Sequence, residues 1–396
     1  MDQVNRILVT GAVGQIGTEL VQALRKKYGA DSVIAGGHTT KPTKAFRESG
    51  PFQYVNVIDR EQLAKTIVDN EVDTVYHLAS ILSAVGELNP QLCYEVNMKG
   101  LYNVLEVVRK HKLERLIWAS SIAAFGPGVP RDNAPNETVL LPTTIYGVTK
   151  VCGEALGNYY FAKFGVDFRS VRLPGIISSE TMPGGGTTDY SVEMYYAAVE
   201  GKHYTCFVRE DTVLPMMYMP DCIKALMDLA EADGSRLRRR VYNVNSMSFS
   251  AGELAESIRK VILRFTCDYR PDFRQAIADS WPRSLDDSAA RVEWNWKPAY
   301  DLPRMTEDMV EKLRRKLTSR RIDDERTTAH TRRIPFKIAG VAHSQHHESC
   351  RAEIDDAARV FRRLWHRARF RQPAKTLSEQ HRSECVELGD RTFVDS

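Results

Sequence analysis

Gly11-Ala12-Val13-Gly14-Gln15-Ile16-Gly17 is the stretch that decides the fold of this chain. The apolar run Ile7-Leu8-Val9-Thr10 precedes it as a strand, and an amphipathic pattern over 16–28 follows it as a helix. A G-x-x-G-x-x-G turn in that setting lets backbone N–H groups approach a pyrophosphate at the helix N-terminus, where the helix dipole favours negative charge. Gly11, Gly14 and Gly17, with Gln15 and Ile16 between them, are therefore the expected dinucleotide cradle.

Outward from that turn, strand-like runs recur at 7–10, 32–35, 52–57, 74–78, 115–119 and 167–173. Helical patterns at 16–28, 60–70, 90–110 and 146–164 separate most of them. Repeated strand–helix–strand order predicts an α/β fold with a doubly wound, Rossmann-like parallel sheet, in which ligands sit beyond the carboxyl ends of the strands. We expect residues 1–173 to form the dinucleotide-binding domain and 174–318 a smaller C-terminal substrate lobe interleaved with the end of the sheet. A final helix is expected over 306–316, and 319–396 reads as a basic, poorly ordered tail.

Tyr146 and Lys150 are four apart on the helix over 146–164, so they share one face. A free phenol, with a pKa near ~10, is a poor base at neutral pH, and a neighbouring ammonium favours the phenolate. Ser121 ends the strand over 115–119 and precedes Ile122-Ala123-Ala124-Phe125-Gly126, so its hydroxyl can face a pocket at the strand end. Phenol, ammonium and hydroxyl beside a dinucleotide describe a hydride-transfer site.

The second strand ends Ala35-Gly36-Gly37-His38-Thr39-Thr40-Lys41, without the carboxylate that usually binds the ribose hydroxyls of NAD. His38 and Lys41 could face a 2′-phosphate there; alternatively, the loop backbone and Thr39 suffice for the ribose. NAD is the expected cofactor, and Gly36→Asp or Gly37→Asp is expected to sharpen that preference.

Sixteen of the 55 basic and 12 of the 51 acidic residues lie from Ser319 onward, leaving 39 of each in residues 1–318. The body is thus balanced and offers nothing to a nucleic-acid partner. No apolar run is long enough to span a bilayer. The chain opens almost directly into a strand with no room for a signal peptide, so cytoplasm is the literal expectation, or the mitochondrial matrix if the N-terminus is incomplete. The seven cysteines are scattered without a C-x-x-C, which points to a reducing compartment and away from disulfides and zinc. In the tail, His343-x-x-His346-His347 with Cys350 invites a metal reading and 359–371 a basic amphipathic helix; an unordered extension is the simpler expectation.

The glycine turn, Ser121 ahead of A-x-F-G and Tyr146-x-x-x-Lys150 resemble the extended short-chain dehydrogenase/reductase superfamily. A narrower resemblance, to its short-chain L-threonine 3-dehydrogenases, is carried by Val171-Arg172-Leu173-Pro174-Gly175-Ile176, Met182-Pro183-Gly184-Gly185-Gly186-Thr187-Thr188-Asp189-Tyr190, Leu214-Pro215-Met216-Met217-Tyr218 and Asp279-Ser280-Trp281-Pro282-Arg283. It runs from about Ile7 to about Leu317. The resemblance implies oxidation of L-threonine at C3 with NAD⁺ to 2-amino-3-oxobutanoate and NADH, without a metal. Tyr146 would be the acid/base, Lys150 would lower its pKa and hold the nicotinamide ribose, and Ser121 would position the reacting oxygen. Ser83, in the loop after the fourth strand, with Gly184 and Thr187, would contact substrate, and Trp281 would be a lid. Asn56 stands where an adenine-binding Asp is usual, Leu78 and Ala79 would flank the cofactor, and Asn97 would brace the active-site helix or a water beside it. A homodimer is implied through the helices over 90–110 and 146–164, burying Leu101, Leu105 and Tyr159. Two other readings stand beside this one: a nucleotide-sugar epimerase or dehydratase, and a non-catalytic NAD(P)-binding scaffold.

Overall fold

The structure, a computed structural model, describes residues 6–332 except Pro183, with side chains to Ser319. Residues up to Arg326 fall in one compact unit. The His343–Cys350 cluster and the 359–371 segment lie outside the described residues. The strands are β1 Ile7–Thr10, β2 Val33–Gly37, β3 Phe52–Tyr54, β4 Thr74–His77, β5 Arg115–Ser121, β6 Phe168–Leu173, β7 Gly175–Ile177, β8 Tyr204–Cys206, β9 Val213–Tyr218, β10 Val241–Asn243, β11 Met247–Ser250 and β12 Cys267–Tyr269. Seven of them form one sheet in the order β10-β6-β5-β4-β1-β2-β3, and every neighbouring pair is parallel. The order reverses between β1 and β4, the place where a doubly wound sheet opens a crevice for ligand.

Alternation along the strands sends side chains to two covered faces. Ile7 and Val9 pack with Leu20, Val21 and Leu24 of α1 (Gln15–Tyr28) on one face. Leu8, Val75 and Leu116 pack on the other with Leu63 of α3 (Arg60–Asp69), which follows the short α2 (Lys44–Glu48). The same face takes Leu101, Val104, Leu105 and Val108, all buried. Two helices, α4 (Ser83–Leu88) and α5 (Pro90–Tyr94), lead into a π-turn over Glu95–Lys99 and then α6 (Gly100–His111). The helix expected over 90–110 is thus broken into three pieces, and Ser83 opens a helix rather than lying in a loop.

The remaining helices are α7 (Ile145–Phe164), α8 (Tyr190–Val199), α9 (Met219–Glu231), α10 (Ala251–Val261), α11 (Arg274–Asp279), α12 (Ser288–Trp294) and α13 (Leu302–Arg332). A third core gathers Tyr190, Tyr195, Leu214, Phe249, Leu254, Trp281 and Met309 around α8, α10 and α13. β3 stops earlier than expected because Asn56 Oδ1 accepts a hydrogen bond from Ile58 N at 3.1 Å and turns the chain into the Asp59 cap of α3. α13 overruns its expected end at residue 316, since no Gly or Pro interrupts the chain until Pro335.

α7 lies unusually close to the sheet. A Cβ added at Gly153 would stand 2.4 Å from the Trp118 ring, and one at Gly157 would stand 2.1 Å from the Phe168 ring. Gly157→Ala should therefore lower stability by about 1–3 kcal/mol through overpacking, read as a fall in the chemical-denaturation midpoint.

Candidate active site

The glycine turn has the form that a phosphate needs. Gly11 has φ +71°, where L side chains are strained, and a Cβ there would stand 2.7 Å from Ala79 N. A Cβ at Gly17 would stand 2.2 Å from Gly11 O, so helix α1 can start this close to the turn only without a side chain. Gln15 Nε2 reaches Ile176 O at 3.4 Å and links the turn to β7. These residues fit a dinucleotide.

β2 does not stop at Ala35 but runs through Gly37. Added side chains would have different fates at its two glycines. A Cβ at Gly36 would face Val9 O at 3.1 Å and Val55 at 3.3 Å, inside the sheet. At Gly37 it would face Val13 of the turn at 3.1 Å, but the Phe52 ring stands at 2.7 Å. Only position 37 therefore looks toward the cofactor turn, which corrects the expectation for Gly36→Asp. His38 and Lys41 are exposed beyond the strand end.

One cleft beyond the strand ends is lined by Gly11, Gly14, Gln15, Ile16 and Gly17, by Leu78 and Ser83, and by Ser121, Tyr146, Lys150, Thr187 and Trp281. Four expected residues are not on its wall. Asn97, in the π-turn, is spent on structure: its Oδ1 accepts from Ile81 N at 2.8 Å, and its Nδ2 faces Ile81 O at 3.1 Å and Thr149 Oγ1 of α7 at 3.2 Å. Asn56 is engaged in its own turn, Ala79 backs Gly11, and Gly184 is exposed with open space around it. Trp281 is packed in the core at 4 % exposure, so it forms a wall of the cleft and not a lid.

Tyr146 sits in the first turn of α7, which Thr144 caps by accepting from Gly147 N at 3.0 Å. Lys150, one turn on, is buried; its Nζ donates to Ala119 O at 2.7 Å and lies 5.2 Å from the centre of the Tyr146 ring. Burial pushes the Tyr146 phenol up to about 12, while hydrogen bonds from Ser121 and Ser80 draw it back. Burial also pulls the Lys150 ammonium down to about 7, opposed by Cys93 and Glu154. Spacing alone led us to expect a phenol made acidic by its lysine; in the folded chain desolvation outweighs that pull, and the resting group is the neutral phenol.

Ser83 Oγ and Thr187 Oγ1 are 3.1 Å apart, joining α4 to the glycine-rich loop. Asp189 shapes that loop by accepting from Gly185 N at 2.9 Å and Gly186 N at 2.7 Å, and burial raises its carboxyl to about 6. It also lines the cleft and is the one carboxylate among the described lining residues. Its position after three glycines was the available signal. Ser80, also lining the cleft, was missed because polar residues at strand ends are too common to stand out, whereas Ser120 lines it beside Ser121 at the strand end. Gly17→Ala should weaken NAD(H) binding at least about tenfold by calorimetry, since the new methyl cannot coexist with Gly11 O.

Comparison with known proteins agrees with this geometry. The NAD dependent epimerase/dehydratase family matches residues 7–245. The chain is 46% identical over 306 residues to a mitochondrial L-threonine 3-dehydrogenase of Sus scrofa, covering 77% of this chain and 82% of that one. It is 52% identical to the crystal structure of L-threonine dehydrogenase from Phytophthora infestans, with a TM-score of 0.75 over 78% of this chain and 99% of that one. A monomeric L-threonine 3-dehydrogenase from a metagenome is 48% identical, with a TM-score of 0.75 over the same shares, 78% and 99%. A match over more than half of the chain, seated on the residues that build the cleft, means that the chain belongs to the NAD dependent epimerase/dehydratase family and that NAD is its cofactor.

Proposed function

We propose that this chain is an NAD-dependent L-threonine 3-dehydrogenase. The observation that carries the reading is the meeting of Ser121, Tyr146 and Lys150 with Ser83, Thr187 and Asp189 in one cleft. A small zwitterion needs donors for its carboxylate and an acceptor for its ammonium. Hydroxyls of Ser83 and Thr187 serve the first, and the Asp189 carboxylate serves the second. Likeness to threonine dehydrogenases at 46% and 52% identity supports the same substrate.

Bound NAD⁺ supplies the hydride acceptor. Tyr146, as phenolate, would take the proton of the C3 hydroxyl, and NAD⁺ held by the turn of Gly11, Gly14 and Gly17 would take up the hydride equivalent that turns the alcohol into the ketone. Ser121 hydrogen-bonds the oxygen that becomes the carbonyl. Lys150, as ammonium, stabilises the phenolate during the step. A nucleotide-sugar substrate would need a second site for its nucleoside diphosphate, and the loop over 184–189 is short and glycine-rich for one.

We also propose a homodimer through the expected helices and Tyr159, but without Leu101 and Leu105. Leu101 and Leu105 are fully buried against the sheet, because the apolar stripe of α6 faces inward. Val148, Cys152, Ala155 and Tyr159 instead form an exposed stripe along α7, with Tyr102 exposed on α6.

The wild-type protein should form NADH from NAD⁺ only when L-threonine is present, and Tyr146→Phe should lower kcat by about 10²–10⁴-fold with its fold intact. The reactive pair, Tyr146 phenolate with Lys150 ammonium, holds one proton fewer than the resting phenol–ammonium pair, so the oxidation rate should rise with pH up to about 7, where Lys150 titrates, and level off above it. An intact, NAD-binding protein with no threonine-dependent NADH would sink the assignment. For the dimer, sedimentation should give twice the chain mass, and Tyr159→Glu should shift it toward the monomer; a wild-type monomer at micromolar concentration would refute the interface.

A further inference from the structure

Tyr146 and Lys150 are followed by a third polar residue on the same face of α7. Glu154 stands one turn beyond Lys150 and is 4 % exposed. Its carboxylate accepts from Ser120 Oγ at 2.5 Å, and from Arg172 Nε at 2.9 Å and Nη2 at 2.8 Å. Ser120 and Arg172 are direct partners in the β5–β6 ladder. Arg172 continues to Asn136 O at 2.7 Å and Asn243 Oδ1 at 3.1 Å, so the network reaches the preceding loop and β10.

Both elements that carry the proton-transfer groups are therefore tied at Glu154. α7 brings Tyr146 and Lys150, and the end of β5 brings Ser121 and the Ala119 carbonyl that holds Lys150. Holding Ser120 on the α7 side sets the pleat at the strand end and with it the direction of Ser121. The titratable groups that face Lys150 among the described residues are Cys93 on α5, His77 on β4, and Tyr146 and Glu154 on α7, and the Trp118 ring of β5 lies 4.7 Å from its Nζ. A buried ammonium loses its proton unless a negative group stands near; Cys93 and Glu154 are the two groups that act in that sense, and burial pushes the Cys93 thiol up and so keeps it neutral, which leaves the paired Glu154 carboxylate.

We propose that Glu154 is a positioning residue of the reaction centre: it locks the end of β5 to α7 and keeps Lys150 an ammonium. The inference rests on the reading of Tyr146 and Lys150 given above, though not on the identity of the substrate.

The test compares full-length wild type with Glu154→Gln and with Glu154→Gln/Arg172→Met. The double variant removes both charges, so it remains informative if the single one, left with an unpaired buried guanidinium, fails to fold. Lys150 is titrated in ¹³C-labelled lysine protein by NMR, without substrate, its signal assigned with Lys150→Arg. Its midpoint should fall by about one pH unit, a tenfold change in the proton equilibrium. The rise of the threonine oxidation rate with pH should level off about one unit lower, so that the loss relative to wild type is greater at pH 8 than at pH 5. An unchanged lysine midpoint with a loss equal at every pH would make Glu154 merely structural and overturn the proposal. If wild type gives no threonine-dependent NADH while the lysine midpoint still falls in the variants, the substrate reading fails and this proposal stands.

Discussion

The arrangement depends on how closely α7 can lie against the sheet. Gly147, Gly153 and Gly157 face the Ala123 carbonyl, Trp118 and Phe168 at distances no side chain could occupy. With that spacing the first turn of the helix hangs over the carboxyl end of β5, and Tyr146 faces the cleft. A methyl group at any of these positions would push the helix outward and move the phenol and the ammonium off the strand end. Catalytic geometry tolerates little displacement, because hydrogen-bonded proton transfer needs its heavy atoms at about 2.6–3.2 Å.

Close packing brings an electrostatic cost. Tyr146, Lys150, Glu154 and Arg172 are all buried, and two of the four form an ion pair with each other. Desolvation acts on phenol and ammonium in opposite senses, raising one and lowering the other, so both drift toward their neutral forms. The chain counters this locally, with Ser121 and Ser80 on the phenol and the Glu154 carboxylate on the ammonium. Such a site is poised at Lys150, since its ammonium titrates near neutrality and a new charge in the cleft can move it across its titration.

The wall opposite the helix is built differently. Ser83 opens α4 and meets Thr187, while Asp189 gathers the N–H groups of Gly185 and Gly186. Few side chains support the segment between, and a Cβ at Gly184 would meet nothing within 4 Å. A rigid helix with its base and a loosely supported loop with its hydroxyls divide the work of chemistry and recognition. The sheet is common to enzymes of many activities, and on the proposed reading it is this loop that meets the substrate.

Sequence by itself determined the doubly wound sheet, because strand–glycine turn–helix order and two-faced apolar strands leave few other solutions. It also determined the Tyr146–Lys150 pair and Ser121, since helical period and strand end each assign a direction to a side chain. Tertiary structure decided the rest. Leu101 and Leu105 have the right period for a helix stripe, but period does not say which face meets the sheet. Trp281 is a wall and Asn97 a brace, because burial and partners depend on residues more than fifty positions away. Gly36 and Gly37 look equivalent in the chain, yet the pleat turns one into the sheet and the other toward the cofactor turn. The protonation of Tyr146 was legible only in part: spacing announces the lysine, whereas the opposing desolvation arises from packing that no local pattern records.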